Sequence, residues 1–493
     1  MLMLGRPENG TVAVMLLSLA TLSSHPAWSA DWTLSKQLTT QVTYTDNLLL
    51  NATNKKSDVY VEITPGLVVT GKGRRFNLDL AYSPQYLHYF SSGEDDVLNH
   101  RLQANAQSEL YQDHLFLDAS ATAQQELINA LGPSSRDAIN PTGNLQTSYT
   151  YSLAPRYQNR FGQTAKLDIG VENNGVFYSD VGSNSIGYKS HIDLSSGTAS
   201  GKLSWGITAE HERIEYADSA SNQFSYTTVA DQSTTQFSKT SGTLGYQINP
   251  HWHVDTRAGY EDNNYVSLNE TSGALWEASS LWTPSPRTSL RAGVSYRYFG
   301  WAPVLEFSHR SKRSAWTASF TRDVSSARNE RMQNNVYSFK DAFGEPVVPV
   351  TGDALTVLPN GSIPISSTFI SNTFQTGYTL STRRSTFGAS LGYVLRQYEG
   401  LTQDEETANA TLFWTRRLTQ LTSSNLTLGW DRTQRRDTAA DNTTGTGDQL
   451  TVNAGLTRKL SERANLDLQY RFLDGADYSE NRVTLGLRMN WSD

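Results

Sequence analysis

The feature that most constrains this chain is a pattern that repeats from Trp32 to the end: a run of alternating apolar and polar residues, a short break, a second run, then a longer polar break. Alternation with period two places consecutive side chains on opposite faces of a strand. In the stretch from Arg75 to Phe90, Phe76, Leu78, Leu80, Tyr82 and Tyr86 share one face, and Asn77, Asp79, Ser83 and Gln85 share the other. Leu203/Trp205/Ile207/Ala209, Trp252/Val254/Ala258/Tyr260 and Leu466/Leu468/Tyr470/Phe472 repeat the theme. No stretch sustains an apolar period of 3.6, so helix is expected to be scarce. The runs pass ten residues, whereas strands of soluble sandwiches average about 5–6 and about 9–11 tilted residues cross a bilayer. The expectation is an all-β fold, a large antiparallel transmembrane β-barrel of a single chain whose closure leaves no free edge.

The breaks alternate in length. Short turns fall near Gly71–Arg74, Tyr111–His114, Arg160–Gln163, Ser200–Lys202, Asn249–His251, Pro284–Arg287, Ser311–Arg313, Arg383–Ser385, Thr419–Ser423 and Ser461–Arg463. Between them lie longer polar segments, among them Asp46 to Lys56, Ile128 to Gly143, Ala217 to Thr234, Ala327 to Ser367 and Arg435 to Gly447. Bacterial barrels keep short turns on the periplasmic side and long loops outside. One strand between successive breaks gives about 22 strands, within a range of about 16 to 24, an even number as such barrels require.

Composition agrees. Mean hydropathy is only -0.49 and 18% of residues are charged, yet there are 11 Trp, 24 Tyr and 17 Phe. A barrel gives this combination because half of each strand faces a polar lumen. Disorder would need few aromatics. Residues 1–29 read as a secretory signal peptide: Arg6 precedes an apolar core from Thr11 to Leu22, and Ala27 occupies the small-residue position before cleavage after Ser29. That core is too short for a spanning helix, which needs about 20 residues. Residues 30–493 then form the barrel, whose first strand begins almost at once, leaving no room for a plug domain or periplasmic repeats. Cysteine is absent, which excludes disulfides, thiolate metal sites, a cysteine nucleophile and a lipoprotein anchor.

The last strand carries its own signal. Val483, Leu485, Leu487, Met489 and Trp491 share one face, and Thr484, Gly486, Arg488 and Asn490 the other. The order met by Thr484, Gly486, Met489 and Trp491 resembles the C-terminal insertion signal of outer-membrane barrels, so the barrel-assembly machinery is an expected partner. This strand is expected to pair with the first, Trp32 to Thr45. Polar-face charges, namely Arg75, Asp79, Arg257, Arg291, Arg297, Asp467, Arg471 and Arg488, are expected to line the lumen and act by charge and hydrogen bonding.

Catalytic chemistry is not signalled. Gly388-Ala389-Ser390-Leu391-Gly392 matches Gly-x-Ser-x-Gly but lies inside an alternating strand-like run rather than at a strand-to-helix elbow, and the nine histidines are scattered, with His211–Glu212 among the few that have an immediate acid neighbour. His251 and His253 form too small a set for a metal site, and Asp437, Asp441 and Asp448 lack the spacing of a calcium loop. No metal, cofactor or nucleic-acid partner is expected; the net charge is -7. The segment from Ala327 to Ser367, with Phe339, Phe343, Pro346 and Pro349, is far longer than an ordinary connection. Two readings stand: a constriction folded into the lumen, because a wide barrel otherwise leaves an aqueous hole, or a disordered segment outside the barrel.

Tyr44-Thr45-Asp46-Asn47, Ser57-Asp58-Val59, Ile63-Thr64-Pro65-Gly66 through Gly71-Lys72-Gly73-Arg74-Arg75, then Ser108-Glu109-Leu110, Asp113 and Leu115-Phe116-Leu117-Asp118-Ala119 resemble one barrel family. It is the outer-membrane proteins associated with PEP-CTERM/exosortase systems, close to the β-barrel porins of exopolysaccharide loci. The matches are dense over roughly the first hundred mature residues and thin out afterwards. The resemblance implies a bacterial outer-membrane location, an exopolysaccharide-linked role and no catalytic residues. The expected function is solute conduction or assistance to polysaccharide export by a monomer in contact with outer-membrane lipid and lipopolysaccharide. A non-conducting surface-binding barrel and a barrel hydrolase are the alternatives.

Overall fold

The computed structural model describes residues 30–135, 139–217, 234–332, 337–338, 356–357, 368–438, 440 and 442–492. The expected signal peptide, and Phe339, Phe343, Pro346 and Pro349 of the long insertion, lie outside the described residues. Twenty-two staves form the wall. The first eleven are β1 (Asp31–Thr45), β2 (Asp58–Lys72), β3 (Phe76–Tyr82 continued by Gln85–Tyr89), β4 (Val97–Asn99 continued by Leu102–Tyr111), β5 (Leu115–Leu127), β6 (Leu145–Phe161), β7 (Ala165–Tyr178), β8 (Ser185–Ser196), β9 (Leu203–Tyr216), β10 (Thr234–Asn249) and β11 (Trp252–Asn264). The rest are β12 (Gly273–Ser285), β13 (Thr288–Arg297), β14 (Gly300–Arg310), β15 (Ser314–Ser326), β16 (Thr368–Ser381), β17 (Ser385–Tyr398), β18 (Gln403–Arg417), β19 (Thr422–Asp437), β20 (Asn442–Lys459), β21 (Ala464–Gly475) and β22 (Ser479–Ser492). A short helix, α1 (Ala327–Met332), follows β15.

Each stave pairs antiparallel with the next, and β1 pairs with β22 from Ser35 opposite Ser492 to Thr45 opposite Arg482. The sheet therefore closes on itself, which gives every strand two neighbours. The interruption of β3 falls at Pro84, which has no N–H to give the ladder. Ser83 N still donates to Arg101 O at 2.9 Å, so the wall stays continuous.

Burial inverts the order of a soluble domain. On β1, Val42 and Tyr44 are 48% and 50% exposed while Thr43 and Thr45 are 2% and 0%. The apolar face therefore looks outward, and the polar face looks into the lumen. The same inversion on β22 leaves Val483 and Leu485 outside and buries Thr484 and Arg488. Thr43 Oγ1 and Thr484 Oγ1 meet at 2.9 Å across the closing seam. Gly486 faces inward with Thr484, and Met489 and Trp491 face outward, as their strand positions require.

All ten short turns lie at one end of the barrel. One expected loop is corrected: β19 runs to Asp437 and β20 restarts at Asn442, so most of Arg435 to Gly447 is strand standing above the rest of the rim. Its alternation, Arg432/Gln434/Arg436 against Asp431/Thr433/Arg435, is polar on both faces, which is why hydrophobicity alone read it as loop. Two small apolar clusters sit inside the long-loop end: Leu48, Tyr60, Leu87, Tyr89 and Ile139, and Ala327, Phe369 and Tyr398.

Candidate functional site

The lumen wall carries charge in pairs. On β11 to β13, Glu277 lies 3.7 Å from Arg257 and 3.2 Å from Arg291. Nearer the long-loop end, Arg297 Nη2 is 2.7 Å from Glu261, which also takes Lys239 at 3.4 Å, and Arg297 pairs with Asp323 too. At the closing seam Arg488 donates to Asp467 at 3.0 Å, and Thr457 donates to the other oxygen of Asp467 at 2.5 Å. Arg471 is buried on the inward row of β21, and Asp79, opposite Thr70, faces the lumen near the short-turn end. Arg75 departs from expectation. It sits in the turn between β2 and β3, 3.7 Å from Glu109, and so belongs to the rim rather than to the wall. A residue just outside an alternating run has no face fixed by the ladder.

The mouth at the long-loop end is crossed by segments that fold inward, and here the geometry is densest. Helix α1 reaches three stretches of wall. Arg328, 3% exposed, donates to Ser185 of β8 at 2.9 Å and to Asn174 of β7, and pairs with Glu212 of β9 at 3.5 Å. Arg331 pairs with Glu126 of β5 at 2.8 Å. Glu330 pairs with Arg396 of β17 at 3.1 Å. Burial pushes the Arg328 guanidinium below its usual pKa while the Glu212 carboxylate pulls it back up. A charge so placed needs all its acceptors. Ala327 packs with Phe369 and Tyr398, which fixes where α1 leaves the wall.

From Arg396 the network continues. Its guanidinium, 1% exposed, also meets Glu405 of β18 at 3.2 Å; Glu405, fully buried, takes Arg435 of β19 at 3.1 Å; and Arg435 donates to Asn129 Oδ1 at 3.4 Å. Asn129 opens the second infolded segment, residues 128–144, of which 136–138 lie outside the described residues. This loop crosses to the far side of the mouth. Asn140 Nδ2 donates to Leu48 O at 2.8 Å and to Glu480 at 3.1 Å, Arg482 donates to Asn140 Oδ1 at 2.6 Å, and Gln449 donates to Ser134 O at 2.8 Å. Tyr89 donates to Ile139 O at 2.7 Å. A bonded bridge thus runs from β7–β9 through α1, β17–β19 and the 128–144 loop to β20, β22 and the connection that follows β1.

Sequence reasoning named the insertion that starts this bridge but not Arg328, Glu330, Arg331, Arg396, Asn129 or Asn140. Arg396 carried a legible signal: it is the lone charge on the inward row Thr386, Gly388, Ser390, Gly392, Val394, Arg396 and Tyr398. A buried charge needs a partner, and the ladder beside it offers Glu405.

The histidines do not converge. His211 faces outward against Ser238 at 2.9 Å while Glu212 faces inward. His251 lies in a turn with Nδ1 on Thr283 O at 2.8 Å, and His253 meets Asp255 at 2.8 Å and Gln247 at 3.1 Å, so the two rings are engaged separately. Among the described residues no group of three or more His, Asp or Glu is placed to hold a metal ion.

No family model and no curated protein matches the chain. Among solved structures, the siderophore receptor PirA from Acinetobacter baumannii aligns over 93% of this chain and 80% of its own, with 9% identity and a TM-score of 0.50. The siderophore receptor PirA from Pseudomonas aeruginosa covers 93% and 80% at 11% identity with a TM-score of 0.47. A loop-deletion mutant of OmpT, an outer membrane protein of Vibrio cholerae, covers 94% and 100% at 10% identity with a TM-score of 0.33. At such identities the first of these likenesses is one of fold. The closed wall, the strand lengths and the apolar outer face make the chain a bacterial outer-membrane β-barrel.

Proposed function

We propose that the protein is an outer-membrane channel for hydrophilic solutes whose outer mouth is narrowed by its own infolded segments. The observation that carries this reading is the three-point anchoring of α1 at Glu126, Glu212 and Arg396 across the lumen. A 22-stranded barrel is wide enough to leave an aqueous hole unless something fills it, and here the filling comes from the long loops. The paired charges below, Glu277 with Arg257 and Arg291 above all, line a polar path without the single-sign ring that would select one ion strongly. The protein acts by shape and charge, with no catalytic residue and no cofactor.

The resemblance of the N-terminal third to exosortase-associated barrels supports a finer reading, in which the solute path serves exopolysaccharide export in a PEP-CTERM system and the barrel works as a monomer inserted by the assembly machinery. Conductance of refolded protein in planar bilayers tests the channel. Stable steps are expected, and deletion of Phe339 to Ile363 should raise single-channel conductance; unchanged conductance would remove the insertion from the constriction. The density of bonds across the mouth favours one second reading, a closed barrel with a structural or surface-binding role. A heat-modifiable but silent barrel, silent also in the deletion variant, would establish it.

A further inference from the structure

The outer face carries charge where hydrocarbon cannot cover it. On β19 the outward residues Leu426, Leu428 and Trp430 are 36%, 38% and 38% exposed, and Leu450 beside them on β20 is 40%. The same outward row continues with Arg432, Gln434 and Arg436. Register sets Asp448 opposite Arg432, Asp404 opposite Arg436 and Glu406 opposite Gln434. Arg432 Nε lies 3.7 Å from Asp448 Oδ1, with the two side chains 44% and 46% exposed. Tryptophan prefers the edge of the hydrocarbon. At about 3.3 Å per residue and a tilt of about 40°, Arg432 stands about 5 Å and Arg436 about 15 Å beyond Trp430. That is the depth of lipid headgroups in the outer leaflet. On several other staves the outward residues toward this end are aromatic, such as Tyr44, Tyr296 and Trp301, and where β9 carries outward charge there it is the single pair Arg213 and Glu215, 3.0 Å apart.

We propose that this pad, formed by Asp404, Glu406, Arg432, Arg436 and Asp448, binds the phosphorylated headgroup of lipopolysaccharide. Arg432 and Arg436 donate to phosphate oxygens, for which the planar guanidinium is suited. The three carboxylates face the divalent cations that bridge neighbouring phosphates, since hard cations take oxygen ligands. The mixed sign decides between lipids. A plain anionic phospholipid surface would be repelled by three carboxylates beside two arginines, whereas a phosphate layer cross-linked by divalent cations accommodates both signs. The proposal is independent of whether the lumen conducts.

Native mass spectrometry of the full barrel refolded with rough lipopolysaccharide and magnesium tests it. Wild-type protein should retain the glycolipid, and R432Q/R436Q should retain at least tenfold less while keeping its heat-modifiability. The outward pair elsewhere, R213Q/E215Q, should retain as much as wild type, and chelation of magnesium should weaken retention in wild type more than in D404N/E406Q. Equal retention by wild type and R432Q/R436Q would overturn the proposal. So would equal retention of phosphatidylglycerol at the same arginines, which would make the pad a general anionic-lipid surface.

Discussion

Two charged regions of one lumen differ in a way that burial decides. At the mouth, Arg396 is 1% exposed between Glu330 and Glu405, and Glu405 is fully buried. Lower down, Arg291 has a third of its side chain exposed beside Glu277. The residue types are the same, and the distances, 3.1 Å and 3.2 Å, are nearly so. In the open part of the lumen, water screens each pair and lets either partner stand alone at little cost. At the mouth, water is displaced by α1 and the 128–144 loop, so each charge depends on its partner. The lower pairs therefore tune what the lumen attracts, and the upper ones hold the infolded segments in place.

The largest effect should come from breaking the upper network at its hub. R396A leaves Glu330 and Glu405 without their shared cation, which costs about 3–5 kcal/mol where a buried pair loses one partner. Urea unfolding of the reconstituted barrel should show the loss, and single-channel conductance should rise as α1 loosens. A cost no greater than that of R291A would show that the mouth is wet and would erase the distinction. The triple variant R396M/E405L/R435M replaces the buried triad by apolar side chains and should recover much of the stability without restoring the partner of Glu330, so conductance should stay raised.

Next in size is the outer wall, where hydrocarbon replaces water. L487K puts a cation on the lipid-facing row of β22 and should impair insertion by about 2–4 kcal/mol near the midplane. N490K, on the inward row of the same strand and exposed to the lumen, should insert as wild type does. Folding yield into vesicles measures both, and equal yields would overturn the assignment of faces.

Most of the wall was legible because it is local: period-two alternation fixes faces, and short polar breaks fix turns, residue by residue. The 22 staves, the pairing of β22 with β1 and the inward rows holding Arg257, Arg291 and Arg488 all follow from that. The bridge across the mouth was not legible, because it is made of contacts between distant segments. Arg482 and Asn140 are 342 residues apart, and Arg396 and Glu330 are 66 apart. Helix α1 has six residues, too few to display a 3.6 period. Arg75 was misplaced for the opposite reason: a strand rule was carried one residue past the strand.

The smallest structural effect, and the finest probe of the comparison, is at Arg291. Glu277 is shared by Arg257 and Arg291, so R291A leaves Glu277 still paired with Arg257 at 3.7 Å. The stability loss should stay within about 1 kcal/mol, as for an exposed pair. The lumen nevertheless loses one positive charge at that level, so reversal potentials under a salt gradient should shift toward cation preference, and E277Q should shift them toward anions. The shifts should fade at 1 M salt, where the Debye length is about 3 Å, whereas the conductance gain of R396A should persist because it comes from geometry rather than field. A salt-insensitive shift in R291A would mean that the lower lumen is as dry as the mouth, and the two regions would then be one.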